Sequence, residues 1–129
     1  MANVSGSDPT VTNCVFSGNL AASGSAGFNF SSSPSYVSCT FQGNFASPRL
    51  QGSTVFNNDS SPTMANCLIW ANRGADPGPF QSVGSTAGGT ASYHSCLIEY
   101  HDAGSLGGTG NLDGITDTDG DGIRITRAT

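Results

Sequence analysis

Apolar residues recur along the chain at fixed distances from four cysteines. The cysteines are Cys14, Cys39, Cys67 and Cys96, which follow one another at steps of 25, 28 and 29 residues. An apolar residue stands three places before each cysteine, and another stands two places after it. The two columns are Val11, Tyr36, Met64 and Tyr93, and then Phe16, Phe41, Ile69 and Ile98. A phrase that returns at such a step indicates a repeat architecture.

Each copy of the phrase predicts two short strands joined by a bend. Cys14 and Phe16 are two residues apart, a period that places both side chains on one face of a strand. We expect a sharp bend at Thr12 and Asn13, because Asn tolerates left-handed backbone angles. The small residue and Asn that follow the second apolar position predict another bend. No segment shows a helical period.

This pattern predicts an all-β fold, namely a right-handed parallel β-helix (β-solenoid) of about four coils of 25–29 residues, without a long helix. One domain would contain coils at about 3–28, 29–56, 57–84 and 85–112, followed by an Asp-rich turn and strand at 113–129. Equivalent residues would stack about 4.8 Å apart, so that a few inward residues per coil build a continuous core. The predicted core ladder is Val11, Cys14, Phe16, Cys39, Phe41, Cys67, Ile69, Cys96 and Ile98, and the predicted turn ladder is Asn19, Asn44 and Asn72.

Two alternatives compete with the solenoid. A Gly/Ser-rich disordered linker fits the low charge, but a linker has no reason to repeat its apolar positions. A β-sandwich of short antiparallel strands fits the strand lengths, but it does not explain why Cys and Asn return in register.

Composition excludes some partners. The 129 residues include no Lys, only four Arg, and carry a net charge of −5, which argues against nucleic acid because phosphate binding needs clustered cations. No run of about 18 apolar residues exists, so we expect no membrane span. The first residues have neither a basic nor an apolar region of the kind found in signal peptides, so we expect none in this chain.

The chain resembles the right-handed parallel β-helix repeat proteins of bacterial surfaces in three stretches, which are P-T-V-T-N-C-V-F-S-G-N at 9–19, N-C-L-I-W-A-N at 66–72 and G-T-G-N-L-D at 108–113. Those proteins have pectin-lyase-like folds and share short repeats with polymorphic outer-membrane proteins. The resemblance covers about residues 3–125. It implies a secreted or surface-displayed solenoid, often an adhesin or a passenger of a larger protein, although this chain has far fewer coils than is usual there.

The stretch D-T-D-G-D-G at 117–122 matches the first half of an EF-hand-type calcium loop. We expect Asp117, Asp119 and Asp121 to present carboxylate oxygens to one calcium ion, with the carbonyl of Ile123 as the next ligand. The acid that closes a full loop is missing, because Ala128 stands in its place. The alternative is an acidic, solvated turn.

Other candidate chemistry is sparse. Glu99 and Asp102, beside His94 and His101, offer a small acid/base site, but a polar face on a degenerate last coil explains them more simply. We therefore expect no enzyme. The cysteines favour a buried thiol ladder, and disulfides Cys14–Cys39 and Cys67–Cys96 are the alternative. The sequons at Asn3, Asn29 and Asn58 reflect either a repeated turn sequence or glycosylation.

A four-coil stack leaves strand edges and an apolar core exposed at both ends. We therefore expect a structural or adhesive subunit that stacks end to end on copies of itself, as a filament or a larger solenoid. The contrary hypothesis is a piece of a longer solenoid. The alternative function is that of a glycan-binding or polysaccharide-processing β-helix fragment of a larger secreted protein. The aromatic residues that suggest glycan binding are Trp70, Tyr93, Tyr100, Phe45 and Phe80.

Overall fold

The computed structural model describes residues 1–47, 54–73, 83–86, 89–99, 108–116 and 123–127, with only the backbone of 83–86, 108, 112–116 and 123–127. This described part is built from strands and contains no helix. Its strands are β1 (Ala2–Val4), β2 (Thr10–Thr12), β3 (Val15–Ser17), β4 (Leu20–Ala21), β5 (Gly27–Phe30), β6 (Ser35–Val37), β7 (Thr40–Gln42), β8 (Phe45–Ala46), β9 (Val55–Asn58), β10 (Thr63–Ala65), β11 (Leu68–Trp70), β12 (Val83–Thr86), β13 (Ser92–His94), β14 (Leu97–Glu99), β15 (Gly108–Thr109), β16 (Leu112–Thr116) and β17 (Ile123–Arg127).

Three sheets run side by side, and each gains one strand from each successive repeat. Sheet A has the order β1-β5-β9-β12, sheet B has β2-β6-β10-β13-β15, and sheet C has β3-β7-β11-β14-β16-β17. Strands β4 and β8 form a small fourth sheet. All of these pairs are parallel except β16 with β17. We call the strands at one level a rung, so that β1 to β4 form the first rung and β15 with β16 form the fifth. Parallel pairing at one-repeat steps is compatible with a solenoid and rules out the antiparallel sandwich.

The registers bring the predicted columns together. Phe16 pairs with Phe41, Phe41 with Ile69, and Ile69 with Ile98, all in sheet C. Val11, Tyr36, Met64 and Tyr93 form the matching column in sheet B. The Phe16 and Phe41 rings stack with centroids 4.9 Å apart, and Tyr36 meets Phe41 edge to face at 5.4 Å. From the second rung to the fourth, the side chains of both columns are buried.

The predicted bends are present as left-handed residues at repeated corners. The residue before each cysteine has a positive φ, and these residues are Asn13, Ser38, Asn66 and Ser95. A positive φ also occurs directly after the strands of sheet C, at Gly18, Gly43 and Ala71. A third left-handed corner, which the sequence did not reveal, follows sheet A at Ser5, Ser31 and Asp59. Three turns of backbone direction per repeat therefore separate the three sheets.

The first rung departs from the predicted core. Val11 and Phe16 are only half-buried, and Cys14 is exposed, whereas Cys39, Cys67 and Cys96 are buried. The reason is that packing comes from the rungs on both sides, and the first rung has a neighbour on one side only. The column pattern identifies the inward direction correctly, but it carries no information about burial at an end.

The cysteine column is a hydrogen-bonding position. All four thiols are free, as the favoured hypothesis predicted, and the alternative disulfides are not formed. The thiol of Cys96 donates to the carbonyl of Met64 in the rung before it (3.4 Å), and it accepts from the backbone N–H of Cys67 (3.4 Å). Cys67 and Cys39 likewise contact a carbonyl of the preceding rung. The thiols therefore hold successive rungs together.

In the fifth rung, an asparagine takes the place of the cysteine and makes the same contacts between rungs. Leu112 pairs with Leu97, which places Asn111 in the cysteine column. The Asn111 amide donates to the Tyr93 carbonyl (2.9 Å) and accepts from the Cys96 N–H (3.0 Å). Cys96 bonds to the equivalent backbone groups one rung earlier, namely the Met64 carbonyl and the Cys67 N–H. A thiol and an amide are thus interchangeable at this corner because each can donate and accept.

The C-terminal end is built differently from the rungs before it. Residues 108–116 reach the fifth rung only 15 residues after the fourth, and they add strands to sheets B and C. Strand β17 then pairs antiparallel with β16 from Leu112↔Arg127 to Thr116↔Ile123. The short strand predicted in the tail is therefore present, and it ends the parallel order of sheet C.

We predict that Cys96→Ala lowers the free energy of unfolding by about 1–3 kcal/mol, because the Met64 carbonyl and the Cys67 N–H lose their buried partner. Cys96→Asn should recover at least half of that loss by copying Asn111. Cys14→Ala, at the exposed end of the column, is the matched control and should change stability by less than about 0.5 kcal/mol. Urea unfolding followed by circular dichroism measures all three. Equal losses for Cys96→Ala and Cys96→Asn would show that the column needs sulfur.

Candidate functional site

The turn asparagines form the predicted ladder. The Asn19 amide donates to the Asn44 side-chain oxygen (2.8 Å), and the Asn44 amide donates to that of Asn72 (2.9 Å). Each amide of the second and third rungs also donates back to a carbonyl of the preceding rung, Asn44 to Phe16 (2.9 Å) and Asn72 to Phe41 (2.8 Å). Asn44 and Asn72 are buried and Asn19 is exposed. The ladder has a direction, because the side-chain oxygens of Asn44 and Asn72 accept hydrogen bonds from the amide of the preceding rung.

A second amide ladder lies on the inner face of sheet A. Asn3 donates to the Asn29 side-chain oxygen (2.8 Å), and Asn29 donates to that of Asn57 (2.7 Å), with the same direction as the turn ladder. All three are buried. The sequence pattern missed this ladder because repeat lengths differ, so alignment on the cysteines shifts Asn3 by one place relative to Asn29.

The inner ladder also bears on the sequons. Asn3 and Asn29 use their amide nitrogens inside the stack, so the folded chain cannot carry glycans there. Asn58 pairs with Phe30 rather than with Asn29, and it is half-buried. A repeated turn sequence would place all three sequons at equivalent register positions. Asn58 is not equivalent to Asn3 and Asn29, so the sequons do not meet that requirement.

The first rung forms an open end, which we define as strands β1, β2 and β3 with the inward side chains of Asn3, Val11, Cys14 and Phe16. All three strands are terminal in their sheets, at the same level. The exposed large apolar side chains of the described residues all belong to the first two rungs: Met1, Val4, Val15, Leu20, Phe30 and Phe45. Val15 and Leu20 are the extremes, at 70% and 75% exposure. This end therefore combines unpaired strand edges with uncovered apolar surface.

The backbone at the open end has a defined hydrogen-bonding pattern. Within the stack, the Thr40 N–H donates to the Cys14 carbonyl (2.9 Å), and the Leu68 N–H donates to the Cys39 carbonyl (3.0 Å). The equivalent N–H of the first rung belongs to Val15 and points to the side on which sheet C has no further strand. The open end thus presents the same pattern that each rung offers to the one before it.

Charge differs between the two ends. The first rung, from β1 to β4, contains Asp8 as its only charged side chain. Strand β17, which is terminal in sheet C, contains Arg124 and Arg127, two of the four arginines of the chain. Charged residues on an edge strand oppose pairing with another edge. The two ends are therefore not equivalent as docking surfaces.

The predicted calcium loop cannot be placed. Asp117, Asp119 and Asp121 lie outside the described residues, and of Ile123 the structure gives the backbone, which pairs with Thr116. Within the ranges that the structure describes, no three His, Cys, Asp or Glu side chains come together to hold a metal ion. Calcium binding at 117–123 stays a prediction.

Glu99 has a structural contact. Its carboxylate accepts a hydrogen bond from the backbone N–H of Ala71 at the left-handed corner of the third rung. Burial raises the pKa of Glu99 above its ordinary value, and the Ala71 hydrogen bond opposes this. Because the pKa of Glu99 is raised in the folded chain, protonated Glu99 stabilises the fold at low pH. This contribution is lost as pH rises through that pKa. Its sequence neighbours at 100–102 lie outside the described residues.

Among the described interior groups, Tyr36, Tyr93 and the Cys67 thiol are neutral at neutral pH, whereas the hydrogen bond with Cys67 lowers the pKa of the Cys96 thiol. Burial raises the pKa of Tyr36 to about 12, and burial likewise raises the pKa of Tyr93. The hydrogen bond with Cys96, together with burial, raises the pKa of the Cys67 thiol, so this thiol stays protonated.

The candidate glycan-binding aromatics separate into two groups. Tyr93 is buried in the core and is not accessible. Trp70 is half-buried on the outer face of sheet C, in register with the exposed Gln42, and Phe45 is exposed in β8. Tyr100 and Phe80 lie outside the described residues. No helix of the described chain is long and apolar enough to cross a membrane.

We predict that Asn44→Ala lowers the free energy of unfolding by about 2–4 kcal/mol, because it removes a buried amide that links three rungs. Asn19→Ala should cost no more than about 1 kcal/mol, since Asn19 is exposed and has a rung on one side only. Thermal and urea unfolding of both variants provide the comparison. Similar losses at the two positions would contradict a ladder that depends on neighbours on both sides.

Comparison with known proteins leaves the family open. No family model, no curated protein and no solved structure matches the chain.

Proposed function

We propose that the chain is a non-enzymatic structural or adhesive module, secreted or displayed at a cell surface, that joins a larger β-solenoid through its open end. In this proposal the three sheets form one right-handed parallel β-helix of the pectin-lyase-like kind. The repeat phrase and the parallel registers of sheets A, B and C support that fold. In this proposal, the surface of the chain that contacts its partner is the first rung.

The observation that carries the proposal is the contrast between the two ends. At one end, three parallel strands stop at the same level over half-exposed Val11 and Phe16. At the other end, sheet C stops with the antiparallel strand β17 and its two arginines. Natural sheets cover or charge the edges that are not meant to pair. Sheet C is protected in this way at its last strand, whereas sheets A and B end there at β12 and β15. At the first rung none of the three sheets is protected, as expected of a module that adds to a stack on that side.

The same contrast decides between a filament and a larger solenoid. A filament needs a head-to-tail contact in which the last rung of one copy continues into the first rung of the next. Strand β17 runs against the parallel direction at that position. We therefore favour attachment at one end over unlimited growth of identical copies.

The interior chemistry supports a structural role. Buried amides bond to side chains of the next rung and to carbonyls of the preceding rung, and buried thiols bond to backbone groups of the preceding rung. The buried tyrosines and Cys67 stay neutral at physiological pH. Glu99 makes a backbone contact between rungs. These contacts hold the stack together.

We predict that the native chain binds the dye ANS and associates weakly as concentration rises, because its open end exposes apolar surface. Val15→Lys should weaken that association at least tenfold, since it adds a charge to the terminal strand β3. Gln42→Lys adds the same charge to the neighbouring strand β7 of sheet C and is the matched control. Sedimentation velocity and ANS fluorescence measure the effect. A wild-type chain without ANS binding or association, or equal effects of the two substitutions, would contradict docking at this end.

Glycan binding is the second candidate function, and one observation favours it. Trp70 lies half-exposed beside Gln42 on the outer face of sheet C. An aromatic face beside a polar amide suits a sugar ring, which offers C–H groups to the ring and hydroxyls to the amide. This surface is separate from the open end, so the two functions are compatible.

We predict that neutral oligosaccharides shift the fluorescence of Trp70, which is the only tryptophan of the chain. Gln42→Ala should weaken binding about tenfold if the amide holds a hydroxyl. Phe30→Ala, at an exposed aromatic side chain in sheet A, provides the control. An unchanged spectrum across a panel of neutral oligosaccharides would remove this second candidate.

A further inference from the structure

Three side chains form a line on the outer face of sheet C, in the middle of the stack. Ile69 and Ile98 point inward as a register pair, so the residues after them, Trp70 and Glu99, lie next to each other on the outer face. Gln42 pairs with Trp70 on the other side. The indole of Trp70 therefore lies between the amide of one neighbouring rung and the carboxyl group of the other.

The carboxylate of Glu99 is held close to Trp70. It accepts a hydrogen bond from the backbone N–H of Ala71, which belongs to the peptide unit that joins Trp70 to Ala71. A carboxylate has room for several donors, so this bond orients Glu99 and leaves acceptor capacity for a ligand. On its other side Glu99 pairs with Gly114, which has no side chain to cover it.

The charge of Glu99 is not balanced by any described side chain. Burial and the Ala71 N–H account for the shift of its pKa, and no cation of the described residues contributes. The whole chain contains four Arg and no Lys. A partly buried charge is costly unless a group of opposite sign is near it. The site therefore favours a ligand that brings a positive charge.

An apolar row lies directly beside this line. Leu68 and Leu97 precede Trp70 and Glu99 by two residues, so they share the outer face, and they pair with each other in register. Both are half-buried. The surface thus combines an indole and aliphatic side chains with an amide and an acid. A ligand that matches it has a C–H face, hydroxyl groups and a positive charge in one rigid unit.

We infer that Gln42, Trp70 and Glu99 form a binding site for amino sugars, in which the Glu99 carboxylate takes the ammonium group. This inference rests on the second candidate function and names the class of sugar. The indole contacts the C–H face of the sugar ring and attracts its cation, and Gln42 bonds to a hydroxyl. A neutral sugar leaves Glu99 without a cation, and an acidic sugar is repelled by it.

Two oligosaccharides of one backbone test the inference. The probe is a glucosamine hexamer in a buffer that keeps its amines protonated, and the fully N-acetylated hexamer is its neutral match. Fluorescence of Trp70, the only tryptophan of the chain, reports binding. We predict that the glucosamine hexamer binds at least fivefold more tightly than the acetylated one. High salt should reduce this preference in the wild-type chain, because salt screens the charges.

A variant at the acid separates the charge from the fold. Glu99→Gln should remove the preference for glucosamine and change binding of the acetylated hexamer by less than about twofold, because the amide oxygen can still accept the Ala71 N–H. Asp8→Asn is the matched control and should keep the preference. Its carboxylate also accepts a backbone N–H, that of Ser33, but it precedes sheet B. Circular dichroism checks that both variants are folded.

The outcomes separate this inference from the function on which it rests. Equal binding of the two hexamers, or tighter binding of the acetylated one, would overturn the inference and leave glycan binding at Trp70 in place. A preference that survives Glu99→Gln would also overturn it, because another group would then take the cation. If neither hexamer changes the fluorescence of Trp70, the inference and the second candidate function fall together. Docking at the open end is independent of all these results.

Discussion

Hydrogen bonds from one rung to the next are the interaction on which the rest of the structure depends. The interior contains buried Asn29, Asn44, Asn57 and Asn72 beside its apolar columns, and a buried amide is costly unless its partners are in place. Those partners are the equivalent side chains and carbonyls of adjacent rungs. A single repeat cannot satisfy them alone, so stability arises only when repeats stack in register. The cysteine column obeys the same rule, because its thiols bond to backbone groups of neighbouring rungs.

Because of this dependence, the two ends of the stack differ from the middle rungs in the groups that they leave available for binding. The buried amides and thiols of the middle rungs are hydrogen-bonded to neighbouring rungs. At the first rung the same groups have a neighbour on one side only, so Val11 and Phe16 stay half-buried and Cys14 is exposed. At the other end, a shortened fifth rung and an antiparallel strand replace the regular repeat. The first rung thus keeps the regular pattern of the stack, whereas sheet C ends with an antiparallel strand at the other end.

The replacement of cysteine by Asn111 shows how a repeat can change its sequence without losing its contacts. What the corner requires is a side chain that both donates and accepts toward two backbone groups, and a thiol or an amide does this. The third left-handed corner also varies in residue type, because it holds serine at Ser5 and Ser31 and aspartate at Asp59. At such positions geometry and hydrogen bonding are repeated, whereas residue identity is free to vary.

The sequence by itself determined the period, the inward columns at Val11, Cys14 and Phe16, the bends at Asn13 and Gly18, and the turn ladder that begins at Asn19. These features repeat at constant distances from each cysteine, so the pattern can be recognised without coordinates. Only the tertiary structure decided how the ends are built, because burial and strand direction depend on which neighbour is present. It also revealed the inner ladder of Asn3, Asn29 and Asn57, which unequal repeat lengths conceal, and the reversal at β17. A local sequence pattern specifies which way a residue points, but contacts with adjacent rungs decide whether that residue is core, ladder or open surface.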